Sequence, residues 1–156
     1  MVAHFDGRRR QRGAAYLWAL MIILIISLGI GRLLQHVATA NQRMRETDLL
    51  YVGNLYRSAI RQYFESTPAG SARYPERLED LLHDPRYPVV RRYLRRLYPD
   101  PLTGKPFEIV PAQEGGFKGV RSASTRAPVK IANFSTWELD FANTKSYHEW
   151  EFSYAP

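Results

Sequence analysis

The chain has 156 residues, with 22 lysines and arginines against 15 aspartates and glutamates, and no cysteine. That length suits one small domain with a terminal segment. The lack of cysteine excludes a disulfide scaffold, a thiolate nucleophile and a thiolate metal site. Four arginines and one aspartate fall within residues 1–13, so much of the basic excess marks the start of the chain and says little about a nucleic-acid partner.

Directly behind Arg8, Arg9, Arg10, Gln11, Arg12 and Gly13 comes the uncharged run AAYLWALMIILIISLGIG, residues 14–31. At ~1.5 Å per residue a helix over it approaches the ~30 Å hydrocarbon core of a bilayer. The cationic flank predicts a cytoplasmic N-terminus with the remainder across the membrane. The run exceeds a typical signal-peptide core, and no A-x-A site closes it. Two fates stay open: an uncleaved single-pass anchor, or a cut between Gly13 and Ala14 that keeps the apolar helix. Gly29 and Gly31 each cost a helix about 1 kcal/mol. Close helix packing is the favoured reason for them, and a point of stretching the alternative.

No proline occurs between Val2 and Thr67. Past the apolar run, Leu33, Val37, Met44, Val52, Leu55, Tyr56, Ala59, Ile60 and Tyr63 recur mostly at three- and four-residue steps, the stripe of an amphipathic helix. Arg43, Glu46, Asn54, Arg57, Arg61 and Gln62 fill the other face. Pro68 and Gly70 end the pattern. The spacing predicts one helix over 14–66, roughly 80 Å long. The organisation is a basic leader at 1–13, a transmembrane helix at 14–34, its amphipathic continuation at 35–66, and a globular domain at 67–156.

Short helices are expected over 75–82, where Pro75 and early acids suit a first turn, and over 89–97. Residues 98–105 read as a rigid loop. Strands follow at 107–110, 117–121 and 129–133, divided by proline and glycine, with 150–154 near the end. Closely spaced short strands favour an antiparallel sheet whose apolar face covers the helix stripe, an α+β class. Phe134, Trp137, Phe141, Tyr147, Trp150, Phe152 and Tyr154 read as core and sheet-face residues, with contact to partner subunits as the alternative for some.

The leader, with an apolar run behind Gly13, is similar to the prepilin peptidase motif, and the whole plan resembles the type IV pilins. Several stretches look more specifically like a type II secretion pseudopilin: Tyr74 and Pro75 with Leu78 and Leu81; Tyr98-Pro99-Asp100-Pro101-Leu102-Thr103-Gly104; Gly116-Phe117-Lys118-Gly119-Val120-Arg121-Ser122; and the closing 147–154. The resemblance implies a pilin-like fold, cleavage after Gly13 and methylation at Ala14. It also implies assembly through the N-terminal helix, including Trp18, Gly29 and Gly31. The family usually carries a glutamate at the fifth mature position, where this chain has Trp18. Family members without it tend to be minor, tip-located subunits.

No catalytic pattern emerges. The histidines, His4, His36, His83 and His148, are scattered, and no H-E-x-x-H occurs. Thr103, Gly104 and Lys105 only echo a phosphate loop, since Pro99 and Pro106 stand where glycine and a hydroxyl are needed. The reading is therefore not an enzyme. On the expected helix, Arg91, Arg92, Arg95 and Arg96 would stack one turn apart beside Tyr93, a basic patch of the kind that binds DNA. A solvated face, or pairing with Glu79, Asp80 and Asp84 of a neighbour, is favoured over nucleic acid. The resemblance also raises calcium in a C-terminal loop, with Asp140, Asn143 and Ser146 as candidate oxygens. One carboxylate falls short of what calcium gathers, so no cofactor is the expectation.

The expected role is a structural subunit, a minor or atypical pseudopilin at a bacterial inner membrane with its C-terminal domain in the periplasm. Its partners would be other pseudopilins, the inner-membrane assembly platform and prepilin peptidase. A minor type IV pilin binding DNA or a surface ligand, and an unprocessed anchored domain, are the alternatives.

Overall fold

The computed structural model describes residues 8–67 and 73–156, with helix side chains described at 15–27 and from residue 38 onward. The chain divides into two compact units, Met1–Asn41 and Gln42–Pro156. Helix α1 (Arg8–Glu65) contributes to both. It starts earlier than the sequence spacing predicts, within the arginine-rich leader. Arginine and glutamine are good helix formers and nothing before Gly13 breaks the helix.

In the first unit every described side chain of residues 15–27 is exposed. Among the described residues no helix is long and apolar enough to cross a membrane. The span read at 14–34 lies partly outside the described side chains, as do Gly13, Ala14, Gly29, Gly31, Leu33 and Val37.

The second unit is α+β. Strands β1 (Glu108–Pro111), β2 (Phe117–Arg121) and β3 (Glu151–Ser153) form one antiparallel sheet in the order β1-β2-β3. Ile109 faces Val120 across β1 and β2, and Val120 faces Phe152 across β2 and β3. The β1–β2 hairpin turns through Gly115 and Gly116, both at positive φ, where glycine carries no steric cost. A side chain at Gly116 would also strike the Pro75 carbonyl, which accepts the Phe117 N–H.

The sheet packs on the stripe of α1. Leu49, Val52, Tyr56, Ala59, Ile60 and Tyr63 are buried against Phe117, Val120, Trp150 and Phe152. Each such large apolar side chain contributes about 1.5–3 kcal/mol on burial. Phe141 stacks on Trp150 with ring centres 5.1 Å apart, and Tyr147 meets Trp150 edge-on. Met44 departs from the predicted stripe and is exposed, whereas Glu46, read as polar surface, is buried.

Three expected elements are different. Over 75–82 only a 3-10 turn forms (Leu78–Leu81), with the Asp80 carboxylate accepting the N–H groups of Glu76 and Arg77. Residues 89–97 are not helical, because the N–H groups of Tyr93 and Leu94 both donate to the distant Leu81 carbonyl. Residues 129–133 are not a strand. The Lys130 N–H donates to Glu46 and Asn133 adopts φ 60°, so a helix carboxylate replaces a ladder there.

Gly53 sets the approach of helix to sheet. A Cβ there would lie 2.5 Å from ring atoms of Phe152, which is fully buried. Gly53→Ala should therefore lose about 1–3 kcal/mol to overpacking, less the ~1 kcal/mol that alanine returns to a helix. Urea unfolding of the detergent-solubilised chain checks this. A lowered midpoint that Phe152→Leu partly restores in the double variant is expected, and a midpoint equal to the parent's would show that the ring yields freely.

Candidate functional site

Within the first unit the described stretch of α1 presents ten large apolar side chains between Tyr16 and Ile26, all at least 44% exposed. Consecutive positions 20–26 are exposed, so the apolar surface surrounds the helix and does not form a stripe. A helix apolar on all sides is stable in water only when something covers it. Trp18 is 62% exposed and belongs to this surface. There is no acid between Ala14 and Gly31.

In the second unit the C-terminal end of α1 is held by Arg86. The last carbonyls of a helix have no partner within it. Arg86 Nη2 donates to the Tyr63 carbonyl at 2.8 Å and Nη1 to Thr67 Oγ1 at 2.7 Å. Its Nε and Nη2 pair with Asp84 at 2.8 and 2.7 Å, and its guanidinium lies 3.6 Å from the centre of the Tyr63 ring. Tyr87 donates its hydroxyl to the Ser66 carbonyl. The Tyr93 hydroxyl donates to Asp84 and lies 2.6 Å from Ser66 Oγ. Burial would raise the Asp84 pKa, but the hydrogen bonds from Arg86 and Tyr93 win and hold it below the usual carboxylate range. Burial pushes the Tyr63 phenol up to about 12, against the pull of Arg86.

The four arginines of the expected basic patch are all exposed, on an irregular segment. Arg91 stacks on Tyr87 at 3.9 Å and Arg96 on Tyr98 at 4.9 Å. Asp84, expected to face a neighbour's arginine, is instead buried and committed to Arg86. Residues 98–105 form a tight turn around the fully buried Asp100, which accepts from the Leu102 N–H, Thr103 Oγ1 and Ser122 Oγ.

The calcium candidates lie on and after a 3-10 turn. Asp140 is exposed at the end of a 3-10 turn (Thr136–Phe141), Asn143 adopts φ 65°, and Ser146 donates its hydroxyl to Glu149. Among the described residues no group of three or more histidine, aspartate or glutamate side chains is arranged to hold a metal ion.

Trp137, read as a core or sheet-face residue with a partner contact as the alternative, is 75% exposed. The sequence reading also missed Arg86, Glu46 and Glu138. An acid with an arginine two positions on, Asp84 and Arg86, was a signal for the first. Ser135 three positions before Glu138 is a capping-box signal for the third; nothing local marks Glu46, whose partner Lys130 lies 84 residues away.

Comparison with family models, with curated proteins and with solved structures finds no match for this chain.

Asp84→Asn should destabilise the second unit by about 3 kcal/mol, since it leaves the Arg86 cation without its partner. The lowered pKa also fixes the pH dependence. The contribution is complete above the ordinary aspartate value of about 3.9 and is lost as pH falls through the lower folded value. Chemical unfolding at pH 7, 5 and 3 should show the parent's advantage over the variant shrinking towards pH 3. An advantage that grows in acid would contradict the ion pair.

Proposed function

We propose that this chain is a structural subunit of a type II secretion pseudopilus, a minor or atypical pseudopilin of the type IV pilin-like class. One observation carries the reading: large apolar side chains are bare on all sides of α1 between Tyr16 and Ile26, directly behind an arginine-rich start. Lipid covers such a surface in the precursor, and neighbouring apolar helices cover it in a filament. The sheet covers the later stripe of α1, from Leu49 to Tyr63. The order of the sequence stretches resembling pseudopilins supports the same reading.

In this mechanism the leader holds the precursor in the inner membrane, N-terminus inside, with residues 67–156 in the periplasm. Prepilin peptidase cuts after Gly13 and Ala14 is methylated. The helices then bundle from Ala14 onward, with Trp18 at the fifth position and Gly29 and Gly31 allowing close approach. An assembly platform and an ATPase elsewhere drive extension, which pushes exported proteins outward. Trp18 in place of a glutamate avoids a buried carboxylate in lipid. It suits a subunit at the tip, where no preceding subunit's amine needs an acidic partner. Neither catalysis nor a nucleic-acid partner is part of the proposal.

The N-terminal residue of the membrane-extracted protein tests it. Mass spectrometry should find a methylated Ala14 start in cells with prepilin peptidase and residues 1–13 intact in cells without it. Gly13→Leu should abolish the size shift. An intact leader in both strains would overturn the reading in favour of an anchored, unprocessed domain.

A further inference from the structure

Beside the sheet, one face of α1 borders a groove of about 370 Å³ lined by Asn54, Arg57, Arg61, Trp137 and Tyr154, among others. Arg57 and Arg61 sit one helical turn apart and so project from the same face. Arg57 Nε is the one buried side-chain nitrogen or oxygen without a hydrogen-bond partner among the described residues. Its guanidinium lies 5.9 Å from the centre of the Phe152 ring, an apolar neighbour. Buried donors left unpaired are costly, and more so when charged.

The acids nearby do not discharge this site. Glu138 attracts Arg57 electrostatically, but its oxygens accept from Asn54 at 2.6 Å and from the Ser135 N–H. Asp140 attracts it too, yet no bond joins them and Asp140 is exposed. Burial outweighs both and lowers the Arg57 pKa, so the cation is short of negative partners. Arg61 is exposed. Across the groove Trp137 presents an indole 75% exposed, while Trp150, Phe141 and Phe152 close by in sequence are buried.

The geometry points to a docking site for an acidic peptide segment of a partner protein, its carboxylate held by Arg57 and Arg61 and an adjoining apolar side chain laid on Trp137. Charge complementarity selects the carboxylate, and arginine's planar fork suits it. The volume selects a peptide over a lone anion, because it lies in the range of sites that enclose several groups at once. An exposed indole beside arginines is the composition of an interface anchor. This site uses no residue of the apolar stretch Tyr16–Ile26, and it stands apart from the filament reading.

The test follows the arginine Nε–H and indole N–H signals of the full ¹⁵N-labelled chain in detergent micelles, titrated with acetyl-Leu-Glu-Leu-amide. Saturable shifts at Arg57 and Trp137 are expected, with no saturable shift from acetyl-Leu-Gln-Leu-amide or from sodium acetate at equal concentration. Arg61→Gln, on the exposed position, should weaken binding roughly tenfold, the loss of one charge-assisted contact. Arg57→Gln, read at Trp137, should weaken it at least as much. No shift, an equal shift with the glutamine peptide, an equal shift with acetate, or undiminished binding by Arg61→Gln would each overturn the proposal.

Discussion

The ring of Phe152 lies where a side chain at position 53 of the helix would otherwise be. Everything else in the second unit is arranged around that approach. With glycine at 53, the middle strand residues Phe117 and Val120 and the edge residue Phe152 all come down on one helix face. Trp150 and Phe141 then stack behind Phe152, and Tyr147 closes the layer. A sheet of three short strands draws its stability from a covered apolar face. Its strands are positioned by the helix surface as much as by their ladder.

Regular structure covers little of the chain between Leu78 and Pro156, and buried carboxylates do the work that ladders do elsewhere. Glu46 accepts the N–H of Lys130, Asp84 that of Arg86, Asp100 that of Leu102 and Glu138 that of Ser135. Glu46 shows the cost: burial raises its pKa, and the N–H groups of Lys130 and Val129 offset this only in part. Glu138 shows the opposite balance, since Asn54 and Ser135 overcome burial and lower its pKa. Two of the four project from α1 or bond to it, so the helix organises loops as well as strands.

Periodicity made the amphipathic part of α1 legible, because Val52, Tyr56, Ala59, Ile60 and Tyr63 repeat with the helix. Proline and glycine made the β1–β2 hairpin legible, and the apolar and aromatic residues around Phe152 did the same for β3. Two of the failures share one cause. Residues 89–97 and 129–133 carry plausible helix and strand patterns, yet their N–H groups go to Leu81 and Glu46, which are distant in sequence. Local propensity has no access to such partners. The candidate groove was invisible for a related reason: Arg57 reads like any solvated arginine, and Phe152 and Trp137, which border it, are distant in sequence. The apolar run stood out from composition alone, because it needs no tertiary partner to be recognised.

A chain without cysteine that fastens its loops with carboxylates completes its fold without an oxidant. Each staple forms as soon as the acid meets an amide, and it can open and close many times without leaving a wrong covalent pairing. Nothing in the second unit waits on a thiol oxidase or an isomerase. Its maturation is therefore indifferent to the redox poise of whatever compartment receives it, and reducing agents leave its fastenings untouched.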